Sequence, residues 1–252
     1  MDQANNEDRL TPDLIKLGLV VVIGVFMSIL DTTIVNVALE TLGRELDAPL
    51  SSIQWITTGY LLALSLVIPV GGWVTDRFGA RRLFLTSLAL FTLGSALCGL
   101  AWDTGSLIFF RVLQGAGGAV VLPVGQTIIA RAAGPARMGR MMSIVGIPAL
   151  LGPVLGPVLG GLIVDSMSWR WIFLVNVPVG VVGVLLALRV IPADRPQPRE
   201  HLDVPGLLLL SPALALLVYG LSEAGEQGAW GVAEVWVPMA VGLALGCGFV
   251  GW

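Results

Sequence analysis

Eight apolar stretches, each close to the length that crosses a bilayer, fill most of the 252 residues and leave few other ways to fold. A hydrocarbon core needs roughly 20 apolar residues per helix. Hydropathy places such stretches at 17–38, 52–74, 83–101, 106–128, 141–164, 171–190, 204–221 and 235–252. Charged residues make up only 12% of the chain, about half the share of a soluble domain. The fold class is therefore all-α membrane.

Lys and Arg mark the cytoplasmic face. Eleven of them (Arg9, Lys16, Arg77, Arg81, Arg82, Arg131, Arg137, Arg140, Arg189, Arg195 and Arg199) fall in the N-terminal segment and in alternate gaps. Only Arg44 and Arg170 fall in the others. This asymmetry predicts a cytoplasmic N-terminus. Residues 1–16 are polar and read as a cytoplasmic tail, since a secretory signal would open with a basic n-region. Residues 191–203 (IPADRPQPREHLD) are proline-rich and polar, and read as a semi-rigid cytoplasmic linker. The chain thus divides into the tail, a six-span domain over 17–190, the linker, and two further spans within 204–252. The last stretch runs to Gly251 and Trp252 without the basic residues that should follow a cytoplasmic exit. The expectation is a truncated last span and a missing C-terminal half, with residues 1–252 transporting little alone.

A shift of 89 residues lays the first three stretches on the next three. Gly71, Gly72, Asp76 and Arg81 fall on Gly160, Gly161, Asp165 and Arg170, and Phe84, Leu85 and Gly94 on Phe173, Leu174 and Gly183. Because three crossings is an odd number, the second copy is inverted. Inverted three-span repeats are a building plan of secondary transporters, although channels and scaffolds also duplicate.

Two charges stand alone inside these stretches, Asp31 and Arg111. A charge at membrane depth costs about 3 kcal/mol or more, so each is a functional candidate before it is a packing residue. Arg111 lies five residues inside its stretch, about 8 Å, and Asp31 seven residues inside its own, about 11 Å. The two are therefore expected to meet. An arginine favours the ionised carboxylate and a dry surrounding opposes it, so such a pair can exchange protons as a cavity opens. A static buried ion pair is the alternative reading.

Other chemistries find no support. The net charge of −3 excludes a basic-patch nucleic-acid binder. Cys98 and Cys247 lie in apolar stretches, and the single histidine, His201, sits in the linker. No nucleophile–histidine pair, metal-ligand cluster or phosphate-binding loop can be assembled, so no enzyme activity, cofactor or metal is expected.

Four motifs remain. Residues 30–46 read LDTTIVNVALETLGREL and 51–62 SSIQWITTGYLL. The gap after the second stretch reads Gly72-Trp-Val-Thr-Asp76-Arg77-Phe-Gly79-Ala-Arg81-Arg82. The fourth stretch carries Arg111-x2-Gln114-Gly115-x-Gly117-Gly118. The fifth carries Gly146 and then Gly152-Pro153-x2-Gly156-Pro157-x2-Gly160-Gly161, followed by Trp169-Arg170-Trp171-x-Phe173-x2-Asn176-x-Pro178. Together these resemble the major facilitator superfamily, and within it the fourteen-span drug:proton antiporters. Glu40 stands where that group usually has proline, which weakens the stop at the end of the first span.

The resemblance implies a six-helix N-terminal bundle built as an inverted 3+3 repeat, plus one complete and one truncated further helix. It implies proton coupling at Asp31 and Arg111. It implies a conformational latch at Gly72, Asp76, Arg77, Gly79, Arg81 and Arg82, and an antiporter helix at Gly146, Gly152, Pro153, Gly156, Pro157, Gly160 and Gly161. Asn36, Trp55, Tyr60 and Gln114 are candidates for the substrate path, aromatic faces being attractive to cations. The expected protein exports lipophilic, cationic drugs in exchange for protons across the bacterial cytoplasmic (inner) membrane, conferring antibiotic resistance. Its expected partners are a small-molecule substrate, protons, the lipid bilayer and the C-terminal half. A metabolite exporter of the same superfamily, and a non-transporting membrane scaffold or regulatory fragment, are the alternatives.

Overall fold

A computed structural model describes residues 10–194, 201–227, 230 and 232–252; the expectations for Arg9, Arg195, Arg199 and residues 1–8 lie outside them. The elements are α1 (Pro12–Glu45), α2 (Leu50–Val67), a 3-10 turn (Ile68–Val70), α3 (Gly71–Phe78), α4 (Ala80–Gly99), α5 (Thr104–Gly118), α6 (Val121–Ser166), α7 (Trp171–Leu174), α8 (Asn176–Val190), α9 (Val204–Gln227) and α10 (Ala233–Gly251). Among the described residues, seven helical segments are long and apolar enough to cross a membrane.

One of those segments, Thr104–Ser166, has 63 residues. As a straight helix it would run about 95 Å, three times the thickness of the hydrocarbon. It does not run straight. Gly134 takes φ 69° and ψ 173°, the left-handed region open to glycine, and Pro135 then supplies the fixed φ that starts a helix. The packing shows the reversal. Val121 and Gly125 pack at Gly24 and Val21, descending α1, whereas Gly152, Gly156 and Gly160 pack at Ile29, Thr33 and Ile34, ascending it. The expected loop between 128 and 141 is thus a single residue, and Arg131, Arg137 and Arg140 sit on helix.

Other boundaries also move outward. α1 begins at Pro12, not residue 17, because Thr11 accepts the Leu14 amide with its side chain and Asp13 supports the first turn. It continues through Glu40 to Glu45, as the missing proline allows. Gly79, at φ 93°, is the only residue between α3 and α4.

The two halves of the repeat pack as mates. α1 lies on the second half of α6 as α2 lies on α5, and α4 and α8 face each other across the pseudo-twofold. Arg81, near the start of α4, donates from its Nη2 to the Leu188 carbonyl near the end of α8 at 2.5 Å. Arg170 donates from its Nη1 to the Gly99 and Ala101 carbonyls at the end of α4, at 3.2 and 2.5 Å. Arg81 with Leu188 and Arg170 with Gly99 are related by the same 89-residue shift. Each helix is closed by the arginine of its antiparallel partner, which satisfies carbonyls that a helix end leaves open.

Two apolar clusters fill the bundle. One gathers Val21, Phe84, Phe91, Val121, Ile129 and Met141, and the other Ile34, Leu42, Ile53, Leu107, Trp169 and Phe173. α9 and α10 pack on each other, and α9 lies on α2 through Tyr219 against Trp55 and through Ser211, whose hydroxyl donates to the Leu66 carbonyl at 3.2 Å. Outward faces carry exposed large apolar side chains, as a hydrocarbon solvent permits.

The glycines of the second half of α6 divide by packing. A Cβ on Gly156 would collide with the Thr33 hydroxyl, and one on Gly152 would lie 2.5 Å from Ile29 Cγ2. Gly146 and Gly161 have nothing within 4 Å. Gly156→Val is expected to lower unfolding stability by about 1–3 kcal/mol through overpacking, while Gly146→Val leaves it near the original. Thermal unfolding of the detergent-solubilised variants measures both.

Candidate functional site

The candidate site lies where the two apolar clusters meet. Asp31 follows Leu30 on α1, and Arg111 lies one turn beyond Leu107 on α5; both side chains have no solvent exposure. Arg111 Nη1 donates to Asp31 Oδ2 at 2.6 Å and to Gln114 Oε1 at 2.8 Å. Gln114 Nε2 donates to Asp31 Oδ1 at 2.9 Å, and Asn176 Nδ2 donates to the same oxygen at 2.8 Å. The carboxylate therefore accepts three bonds, from α5 twice and from α8 once.

A second ring of contacts fixes these donors. Arg111 Nε donates to the Ile56 carbonyl at 3.2 Å, and its guanidinium carbon lies 4.1 Å from the centre of the Tyr60 ring. Tyr60 and Ser28 share a hydroxyl contact of 3.3 Å. Asn176 also bonds Ser95 Oγ at 3.1 Å, and the Ser95 hydroxyl donates to the Phe173 carbonyl at 2.9 Å. Cys98 Sγ lies 3.5 Å from Gln114 Oε1. Two charges taken out of water lose several kcal/mol each, and only close geometry with further hydrogen bonds compensates for this. The site meets that condition, with Arg111 Nη2 as the exception: it is buried and has no hydrogen-bond partner among the described residues.

Small residues let the helices come this close. A Cβ on Gly94 would lie 2.7 Å from Gln114 Cα, and one on Gly115 would lie 2.6 Å from the Tyr60 carbonyl oxygen. The glycines of the fourth stretch and the one beneath it on α4 thus set the depth at which Arg111 and Gln114 enter the cluster.

The sequence-predicted path residues separate. Tyr60 and Gln114 belong to the charged cluster. Asn36 is exposed and accepts from the Thr57 hydroxyl at 3.3 Å. Trp55 is exposed beside Tyr219, with ring centres 6.0 Å apart. Ser95 was not singled out from the sequence, Cys98 was read there only as a residue of an apolar stretch, and Asn176 was named only as part of the motif after the fifth stretch, with no role given to it. Asn176 had a further visible signal, being a lone amide within a strongly apolar stretch.

The second polar group lies at the end of the bundle that holds most of the arginines. Asp76 Oδ1 is 3.6 Å from Arg131 Nη2, and Asp194 Oδ2 is 3.5 Å from Arg131 Nη1. Asp194 also accepts the backbone amides of Ala80 and Arg81, capping α4 from the linker side. Gly79 leaves the space it needs, since a Cβ there would lie 2.7 Å from Asp194 Oδ1. Arg77 and Arg82 are exposed. Gly72, Asp76 and Arg77 instead line a cavity of about 380 Å³ shared with His201, Asp203 and Phe249. Asp194 was missed because one acid in a polar segment carries no signal of its own. The exposed Arg131 pairs are worth about 1 kcal/mol or less each.

Among the described residues, no three His, Cys, Asp or Glu side chains converge as a metal site would require.

Against known proteins, the profile of the Major Facilitator Superfamily matches residues 21–252. The Multidrug resistance protein B homolog of Mycobacterium tuberculosis is 48% identical over 248 residues, which is 98% of this chain and 46% of that protein. The Putative multidrug resistance protein MdtD of Salmonella typhi is 38% identical over 209 residues, 83% of this chain and 44% of that one. The chain thus spans about half the length of the curated relatives it matches. Among solved structures, the proton:xylose symporter XylE superposes with TM-score 0.64 at 15% identity, over 93% of this chain and 54% of that chain. The human organic anion transporter MFSD10 gives 0.61 at 19%, over 85% and 57%. At such identities these two speak for the fold alone.

Arg111→Leu leaves the Asp31 carboxylate buried without its countercharge and is expected to cost about 3–5 kcal/mol. The double variant Asp31→Leu/Arg111→Leu is expected to recover most of that loss. Denaturant unfolding of the two single variants and the double variant, read as a cycle, measures it.

Proposed function

The chain belongs to the major facilitator superfamily, and on that premise we propose that it works within a proton-coupled antiporter that exports lipophilic, cationic compounds. The observation that carries this reading is the Asp31–Arg111 pair, buried at 2.6 Å in the centre of the bundle. Asp31 takes a proton from one side and releases it to the other as the cleft alternates, and substrate moves in the opposite direction. Net proton entry down its gradient drives export.

Three further features support the reading. The relatives of highest identity quoted above carry multidrug resistance in their names. The packed glycines Gly152, Gly156 and Gly160 let α1 and the second half of α6 slide against each other at close range, with Pro153 and Pro157 removing amide donors that would stiffen the helix. Both prolines sit inside α6. The acids Asp76 and Asp194 around Arg131 act as a latch, made when the arginine-rich end is closed and broken when it opens. By charge asymmetry that end, with the N-terminus, faces the cytoplasm of a bacterial inner membrane.

Tyr60 is not available to a ligand cation in this arrangement, because the Arg111 guanidinium already covers its ring. Asn36, exposed on α1, and its half-buried partner Thr57 on α2 are better placed to line the path. The C-terminal half of the transporter supplies the other wall.

In the full-length transporter reconstituted in vesicles, Asp31→Asn is expected to reduce proton-driven efflux to the level of empty vesicles. Efflux at the original rate overturns the assignment.

A further inference from the structure

A proton-carrying Asp31 must exist in two states, and its surroundings fit only one of them. Oδ2 faces Arg111 Nη1, and Oδ1 faces Gln114 Nε2 and Asn176 Nδ2. All three neighbours are donors. A protonated carboxyl adds a fourth donor to the same small space, and one of the existing donors has to turn away or become an acceptor.

The three are not equally free to do so. Arg111 has no acceptor atom at all. Asn176 is locked, because its Nδ2 also bonds Ser95 Oγ, and that hydroxyl spends its hydrogen on the Phe173 carbonyl. A turned Asn176 would present its oxygen to an oxygen that has no hydrogen to offer. Gln114 is held differently. Its Oε1 accepts from Arg111 Nη1 at 2.8 Å and lies 3.5 Å from the Cys98 thiol, a weak donor. A half-turn of the amide brings Oε1 to the new Asp31 hydroxyl and Nε2 to Arg111.

That half-turn has a consequence for the arginine. Nε2–H then meets Nη1–H, donor against donor, at the moment the carboxylate has lost its charge. Arg111 loses the Gln114 bond of Nη1, and its remaining Nη1 bond, to Oδ2, now ends on a neutral carbonyl oxygen instead of a charged carboxylate. It keeps the Ile56 carbonyl on Nε and the Tyr60 face, so it can swing about those anchors without leaving the bundle. We infer that Gln114 is the positioning residue that converts protonation of Asp31 into release of Arg111, by turning its side-chain amide. This rests on the proton-coupling reading of Asp31. The titratable groups facing Asp31 are Arg111 from α5, Tyr60 from α2 and Cys98 from α4; Asn176 of α8 and Ser95 of α4 are neutral at every pH.

Infrared difference spectra of the chain in lipid nanodiscs, recorded across a pH series, test this without any transport assay. The Asp31 carboxyl band is assigned by its loss in Asp31→Asn, and the Gln114 amide band by isotope-labelled glutamine and its loss in Gln114→Leu. The expected result is an amide band that shifts with the same midpoint as the carboxyl band in the unmutated chain. In Gln114→Leu the carboxyl midpoint is expected to move by about one pH unit, because the bond Gln114 gives the charged carboxylate is worth more than the one it gives the neutral carboxyl. A carboxyl band that titrates with no glutamine band beside it, or at an unmoved midpoint in Gln114→Leu, overturns the role of Gln114 and leaves Asp31 as the proton site. If no band is lost on Asp31→Asn, the proton-site reading fails, and this inference fails with it.

Discussion

The bond between Arg111 and Asp31 is the constraint around which the rest of the bundle is arranged. Neither charge could remain in a dry interior alone, and their attraction does not by itself offset the loss of water. The difference is made up by neutral donors and acceptors brought from α2, α4 and α8: the Ile56 carbonyl, Ser95, Asn176 and, from α5 itself, Gln114. To deliver them at hydrogen-bond distance the helices must approach closely, and glycines such as Gly94, Gly115 and Gly117 stand where they touch. The apolar clusters above and below keep water out. Packing and electrostatics are therefore one requirement here.

The inverted repeat explains the frame but not the site. Arg81 and Arg170 close each other's helices at opposite ends of the α4–α8 pair, a symmetric arrangement that follows from duplicated sequence. Function needs the symmetry broken. Asp31 and Arg111 have valines, Val120 and Val22, at their repeat-related positions, so a single charged pair stands in the middle. At the arginine-rich end, Asp194 and Arg131 add an ion-pair cluster built on Gly79 and Asp76. On the proposed alternating-access reading, ends of unequal strength would favour one closed end over the other.

Much of this was legible in the residues. Hydropathy located the crossings because a bilayer imposes a length. The lone charges in the first and fourth stretches stood out because hydrocarbon is intolerant of them, and the structure places them in contact. Helix ends were less legible. Thr11 caps α1 and Gly134 turns α6, and both act through one residue that a window of about 20 averages away. Neutral partners were harder still: the value of Asn176 depends on bonding Asp31 across 145 residues of chain, and that of Ser95 on holding Asn176 there across 81. Asp194 illustrates the same limit, being one acid among the polar residues of a linker until folding sets it over the start of α4.

Solid-state NMR recoupling between guanidinium nitrogen-15 of arginine and carboxyl carbon-13 of aspartate, in lipid bilayers, measures the central contact. Strong dephasing is predicted for the Asp31 carboxyl, as expected for an Nη1–Oδ2 separation of 2.6 Å, and its disappearance in Arg111→Leu. An Asp31 signal that shows no coupling to arginine, or the same coupling after Arg111 is replaced, would contradict the account.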